Sequence, residues 1–101
     1  IQMVERIVLI KLVEAQATDA GRQEVIDESM RVLPTITGVK SLRCGIPAEE
    51  KTAASWDIQL ALTFNCMDCV NSYLIDPTHR AYVDMFLSTR MSFIKAWNFE
   101  H

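Results

Sequence analysis

Two histidines occur in this chain, the terminal His101 and His79, which closes the run Asp76-Pro77-Thr78-His79. An interior imidazole can take or give a proton near neutral pH, so His79 is the first candidate for acid–base chemistry. Asp76 reads as a helix N-cap and Pro77 as the first helical residue, where its missing N–H costs nothing. The stripe His79, Val83, Phe86 then turns the ring inward at i, i+4, i+7 spacing. First-turn placement near the positive helix end, together with burial, favours the neutral imidazole that a general base requires. The plainer reading is a histidine that fills a core and bonds to backbone. Tyr73 lies one helix earlier, on a stripe with Cys66, Cys69 and Val70, and its hydroxyl could reach the same space. Its plainer reading is a packed aromatic with the phenol bonded to backbone. Arg6 offers a guanidinium for a carboxylate or phosphate, or else reaches solvent from a strand end.

Cys66-Met67-Asp68-Cys69 is a C-x-x-C at a helix start, where a thiolate pKa can fall. Two cysteines do not complete a zinc site, and no second C-x-x-C or histidine pair stands elsewhere in the sequence. The pair reads as two incidental cysteines on one helical face, and Cys44 as strand packing. No glycine-rich phosphate loop, Ser-His-Asp order or carboxylate dyad is visible, and neither a metal nor a cofactor is expected. Glu49-Glu50-Lys51 reads as a solvated loop.

The elements that must position these residues belong to one domain, since 101 residues support one core of limited size. Its expected span is residues 4–99, with Ile1-Gln2 as a short remnant ahead of Met3. Half of the residues are hydrophobic, more than one small core needs, so part of that surface should meet a partner or line a cavity. A net charge of −3 with interspersed signs and no basic run argues against nucleic acid. The longest apolar run, Ile7 to Ile10, is too short to span a bilayer, and no signal peptide opens the chain. Three cysteines without a disulfide spacing suit a reducing cytoplasm.

Val4 to Leu12 reads as a strand with Arg6, Val8, Ile10 and Leu12 on one face and Ile7, Leu9 and Lys11 on the other. Thr18 caps a helix whose inner stripe is Arg22, Val25, Ile26, Ser29, Met30 and Leu33, ended by Pro34 and a turn at Gly38. Val39 to Gly45 is a short strand, and Ile46 to Ser55 an exposed loop. Trp56 to Phe64 is the clearest strand, with Trp56, Ile58, Leu60, Leu62 and Phe64 facing one way and Asp57, Gln59, Ala61 and Thr63 the other. Asn65 or Cys66 caps a helix through Leu74, the Asp76-Pro77 helix runs to about Ser88, and Met91 to Phe99 is a last strand. The order predicts an α+β fold, the ferredoxin-like split βαβ plan, with a four-stranded antiparallel sheet and helices on one face. The bare face, carrying Ile7, Leu9, Ala61, Trp97 and Phe99, calls for a mate.

The segments Arg6–Leu12, Leu33–Gly45, Trp56–Phe64 and Tyr73–Phe86 stand in the order and spacing of a known family. Its most diagnostic piece is a helix-ending Tyr-Leu, then His-or-Asp-Pro-x-His, then an aromatic-Val pair. Here these are Tyr73-Leu74, Asp76-Pro77-Thr78-His79 and Tyr82-Val83. The chain resembles the stress-responsive A/B-barrel family, also called dimeric α+β barrel (Dabb) proteins. The resemblance implies a homodimer in which two sheets face each other as a barrel with helices outside. It also implies a mostly apolar cavity between sheet and helices, lined here by Arg6, Val8, Ile10, Ile26, Ile58, Tyr73, His79 and Val83. A few plant members are polyketide cyclases that use the motif histidine as general base, oriented by a tyrosine. This sequence departs from them: their second histidine, on the third strand, corresponds to Ile58, their first-helix tyrosine to Ser29, and the first strand's inward histidine to Arg6. The expected function is binding of a small apolar or aromatic ligand, with cyclase- or lyase-like acid–base chemistry at His79. The alternative is a non-catalytic, stress-related dimer whose core is filled by the same residues.

Overall fold

The computed structural model describes residues 2–101; the reading of Ile1 as part of a remnant falls outside that range. Strand β1, Val4–Leu12, is followed by helix α1, Asp19–Val32, and strand β2, Ser41–Gly45. Helix α2, Glu50–Ser55, then leads into strand β3, Ile58–Phe64, and helix α3, Met67–Ile75. Helix α4, Pro77–Ala81, runs on through a π-helical turn, Tyr82–Phe86, and a 3₁₀ turn, Leu87–Thr89, into strand β4, Met91–Glu100. The strands lie in the order β2-β3-β1-β4, all antiparallel, as the ferredoxin-like plan requires.

Register divides the sheet cleanly into two faces. On the helix side Val4, Val8, Ile10 and Leu12 of β1 meet Phe64, Leu60 and Ile58 of β3, and all are nearly inaccessible. Burying each such side chain contributes about 1.5–3 kcal/mol, so this layer is the main source of stability. On the other face Ile7 stands opposite both Ala61 and Trp97, and Phe93, Trp97 and Phe99 project from β4 into the open.

Helix α1 forms where sequence grammar places it. Thr18 accepts a hydrogen bond from the Gly21 N–H at 3.0 Å, and Val25, Ser29 and Leu33 turn into the core. Met30 departs from the expected stripe and is about half exposed, since the face in contact with the sheet is narrower than a six-residue stripe. The chain leaves α1 through a 3₁₀ turn containing Pro34 and reverses at Gly38, whose φ of 99° is the left-handed conformation suited to glycine. The Val39 N–H closes that turn on the Ile36 carbonyl at 3.2 Å, and β2 begins at Ser41 rather than at Val39.

Two local readings are corrected. The segment expected as an exposed loop from Ile46 to Ser55 contains α2, held to the sheet by the Lys11 Nζ donating to the Ala53 carbonyl at 2.9 Å. Alternation along β3 does not reach back to Trp56 and Asp57. Trp56 stacks on Phe93, which projects from the open face, with ring centroids 6.2 Å apart. Asp57 is fully buried. Its Oδ1 accepts from Arg22 at 2.9 and 3.1 Å, and its Oδ2 accepts from the Leu12 N–H at 2.8 Å and pairs with Lys11 at 3.2 Å. This carboxylate ties β1, α1 and the start of β3 together. Among the described residues no helix is long and apolar enough to cross a membrane.

Candidate functional site

The site is built where β1 and β4 run under the junction of α3 and α4. Helix α3 ends because Pro77 follows and Asp76 takes extended backbone, its carboxylate accepting from the Thr78 N–H at 2.8 Å. This cap restarts the chain as α4 in a new direction and brings His79 back over Tyr73, with ring centroids 4.3 Å apart. Tyr73 in turn packs edge-on against Phe64 of β3 at 5.1 Å.

These rings close one side of a cavity of about 200 Å³ between sheet and helices. Its polar wall carries Arg6, Tyr73, His79 and Arg80, and its apolar wall Val8, Leu60, Val83, Leu87 and Ile94. That is slightly larger than the ~150 Å³ hollow that takes a single benzene ring, and smaller than the ~300 Å³ at which drug-sized sites begin. A wider groove of about 750 Å³ between α1 and α4 is open to solvent, and Tyr82 separates it from the cavity.

His79 is largely buried, and its Nδ1 lies 3.2 Å from the Leu74 carbonyl oxygen. A carbonyl only accepts, so Nδ1 carries the hydrogen and Nε2 carries the lone pair. Nε2 has no hydrogen-bond partner among the described residues. Burial pushes the His79 pKa down, the Leu74 carbonyl opposes that, and the Arg6 and Arg80 charges add to the lowering. The ring is thus neutral at neutral pH, in the tautomer that presents a base. Burial is the largest cause, and α4, with only five residues, has little helix dipole to add.

Tyr73 makes no hydrogen bond through its hydroxyl among the described residues, unlike the backbone-bonded phenol of the plainer reading. Burial raises its pKa, the Tyr82 hydroxyl adds to that, and Arg6 opposes it, so the phenol stays protonated and is a donor. The hydrogen bond that orients His79 comes from the Leu74 backbone, whereas Tyr73 contacts the imidazole through its ring face. Arg6 is half-buried and paired with Asn98, its cross-strand neighbour on β4, at 3.1 Å. Burial lowers its pKa and the nearby Tyr73 opposes the change. The guanidinium has donors beyond that single contact.

Five of the eight residues expected to line one site therefore come together: Arg6, Val8, Tyr73, His79 and Val83. Three do not. Ile10 and Ile58 face the helices but are sealed in the core, because Arg22 on Asp57 draws the first turns of α1 over that end of the sheet. Ile26 packs beside this core on α1 and does not reach the cavity. Tyr82 is the residue that sequence reasoning passed over as a site residue. Ser29 donates to the Val25 carbonyl at 2.6 Å, so its oxygen accepts the Tyr82 hydroxyl at 2.5 Å. The aromatic-Val pair in the motif was the signal. Its partner on α1, 53 positions away, was not readable from spacing. Among the described residues no group of three or more metal-ligating side chains gathers.

Solved structures similar to this fold include a Dabb family protein from Mesorhizobium loti, with TM-score 0.83 and 15% identity over 98% of this chain and 96% of that one. A dimeric protein of unknown function from Bacteroides fragilis matches with TM-score 0.74 and 24% identity over 98% and 96% of the two chains. A hydroxynitrile lyase from Passiflora edulis matches with TM-score 0.79 and 13% identity over 98% and 93%. No curated protein matches the sequence. The family pattern of the stress responsive A/B barrel domain covers residues 4–96, from the first residue of β1 into β4 and across every residue of the cavity's polar wall, and this chain belongs to that family.

Proposed function

We propose that the protein is a homodimer that binds a small, mostly apolar ligand carrying a carbonyl or carboxylate in the cavity beside His79. The observation that carries this reading is the pair of unpartnered polar groups, the His79 Nε2 and the Tyr73 hydroxyl, on the wall of a cavity that also holds Arg6. Among the described residues no buried side-chain nitrogen or oxygen lacks a partner, so both atoms are open to whatever occupies the cavity, and a bound molecule takes the place of water there. Its polar end accepts from Tyr73 and Arg6, and an acidic hydrogen lies against Nε2. The volume restricts the ligand to about one aromatic ring or a short branched chain. Where that ligand carries a removable proton, His79 acts as general base, and Tyr73 or Arg6 stabilises the oxygen on which negative charge grows. The likeness to a hydroxynitrile lyase supports small-substrate acid–base chemistry, since hydroxynitriles are of this size and lose a hydroxyl proton when cyanide departs.

Ligand titration followed by amide NMR tests the reading, with benzoate and benzaldehyde as probes. Binding should shift the amides of Tyr73, Leu74 and His79. Arg6→Gln should weaken benzoate about tenfold, the loss of one charge-assisted contact, and leave benzaldehyde less affected. His79→Ala should weaken both by removing a ring that packs against the probe, since neither probe carries a hydrogen for Nε2. The second reading, a non-catalytic dimer with a closed core, is favoured by the small volume and by the backbone bond of His79. Absence of any shift at these amides with millimolar probe would establish it and end the ligand hypothesis.

The dimer forms through the open sheet face. Phe93, Trp97 and Phe99 are each about half exposed there beside Ile7 and Leu9, an apolar surface that a monomer of this size does not usually leave in water. The dimeric protein from Bacteroides fragilis with this fold supports the assignment.

A further inference from the structure

The cavity does not use the two cysteines at the start of α3. Cys66 occupies the N-cap with extended backbone, φ −161° and ψ 167°, and its side chain makes no capping bond. Helix starts favour Ser, Thr, Asp or Asn because an oxygen can satisfy a free N–H, so cysteine here brings the helix no such benefit. Its Sγ lies instead 2.9 Å from the Sγ of Cys69 in the same first turn. That is only about 0.9 Å beyond the ~2.04 Å of a sulfur–sulfur bond. Both side chains are partly exposed, and a shallow hollow of about 230 Å³ borders Cys69 along Thr37, Gly38, Asp68 and Ser72.

We propose that Cys66 and Cys69 form a thiol–disulfide exchange site that reacts with small disulfides of the glutathione type. The Cys66 thiolate attacks one sulfur of R–S–S–R, forming a mixed disulfide and releasing the first thiolate. Cys69 then gives up its proton and attacks the Cys66 Sγ, closing the Cys66–Cys69 bond and releasing the second thiolate. The protein loses two hydrogens, and one disulfide becomes two R–SH. The order of attack follows from position: Cys66 stands at the N-cap of α3, where the positive helix end favours a thiolate, and Cys69 lies inside the helix's first turn. The contact with Cys69 lowers the Cys66 thiol, burial and the Asp68 carboxylate oppose that, and the same contact raises Cys69. The lowered thiol is the nucleophile and the raised one resolves. Cys44, which burial pushes up, takes no part.

Mass spectrometry of the folded chain after exposure to oxidised glutathione tests this. Trypsin separates Cys44, in Cys44–Lys51, from the pair, which both lie in Thr52–Arg80. The wild-type pair peptide should lose two hydrogens, and reduced glutathione should restore them. Cys69→Ser should accumulate one stable glutathione on Cys66. Cys66→Ser should react at least about tenfold more slowly at Cys69. Circular dichroism of both variants shows that they remain folded, and the wild-type peptide carries the test if either does not. Equal rates in the two variants, or a wild-type peptide that keeps its hydrogens or carries two glutathiones, would overturn the proposal.

Discussion

Two buried titratable residues divide the structural and functional roles. Asp57 is structural: it sits at the meeting of three elements and every bond it makes is internal. Burial alone would raise its pKa, but the Leu12 N–H, Arg22 and Lys11 outweigh that and hold it below the ordinary 3.8. A depressed carboxyl stabilises the fold above its unfolded pKa, and the contribution disappears as pH falls through the lower folded value. Asp57→Asn should therefore lose about 2–4 kcal/mol at neutral pH, measured by urea unfolding, and the deficit should narrow below about pH 4. An unchanged midpoint would mean that Arg22 and Lys11 find water at no cost. His79 titrates with the opposite charge. Its folded pKa lies below the ordinary 6.5, so the unfolded chain takes up the proton first. Its stabilising effect is present above about pH 6.5 and declines as pH falls from there through the folded value. Wild type should lose more stability than His79→Gln between about pH 7 and about pH 5. A wild type that gains stability relative to the variant on acidification would show a charged ring in the fold and would remove the general base.

At the scale of elements, the placement of α1 and of α4 decides the site. Helix α1 must approach the 3₁₀ turn Glu14–Gln16 closely, and Gly21 permits it. A Cβ at Gly21 would come within 1.9 Å of the Gln16 carbonyl oxygen, a backbone atom that cannot swing aside. Replacing glycine by alanine inside a helix normally gains about 1 kcal/mol. Here Gly21→Ala should instead destabilise by about 1–3 kcal/mol, because the turn must move. Chemical denaturation reads the sign directly, and a stabilised variant would contradict the packing described. Helix α4 is shaped by its neighbours more than by its own length. The π-helical turn that continues it carries Tyr82 to the buried Ser29 on α1, which shuts the cavity off from the open groove. Helical periodicity put His79, Val83 and Phe86 on one face; His79 and Val83 do line the cavity, but Phe86, at the end of the wider π turn, lines the open groove instead. The π turn itself has no signature in this sequence, since none of its residues breaks a helix.

The whole molecule has one covered sheet face and one open one. The covered face accounts for nearly all of the core, and the open face carries aromatic side chains that only a second surface can shield. Trp97→Glu should convert a dimer into a monomer in sedimentation equilibrium at micromolar concentration, because a buried carboxylate at such an interface is left without a partner. Helical and sheet signals in circular dichroism should stay unchanged, since Trp97 contributes nothing to the helix-side core. A wild-type chain that sediments as a monomer across the same range would refute the face-to-face barrel.

Sequence by itself determined the strands, the longer helices and the plan, though not helix α2 or the π turn. Alternation along Val4–Leu12 and Ile58–Phe64, the Thr18 and Asp76 caps and the placement of Pro77 are local rules, and each acts over a few residues. The motif around His79 was legible for the same reason. Only the tertiary structure decided which residues share a wall. Ile58 and Ile10 point to the same side as Arg6 and Val8, yet α1 seals two of them and leaves the other two on a cavity, a consequence of where Arg22 finds Asp57. Asp57 itself alternates outward by sequence and turns inward because the strand starts at Ile58 rather than at Trp56. The tautomer of His79 depends on the Leu74 carbonyl, freed by the break between α3 and α4. Contacts across tens of residues, and volumes left between them, arise from packing many side chains at once, and no spacing in the chain encodes them one by one.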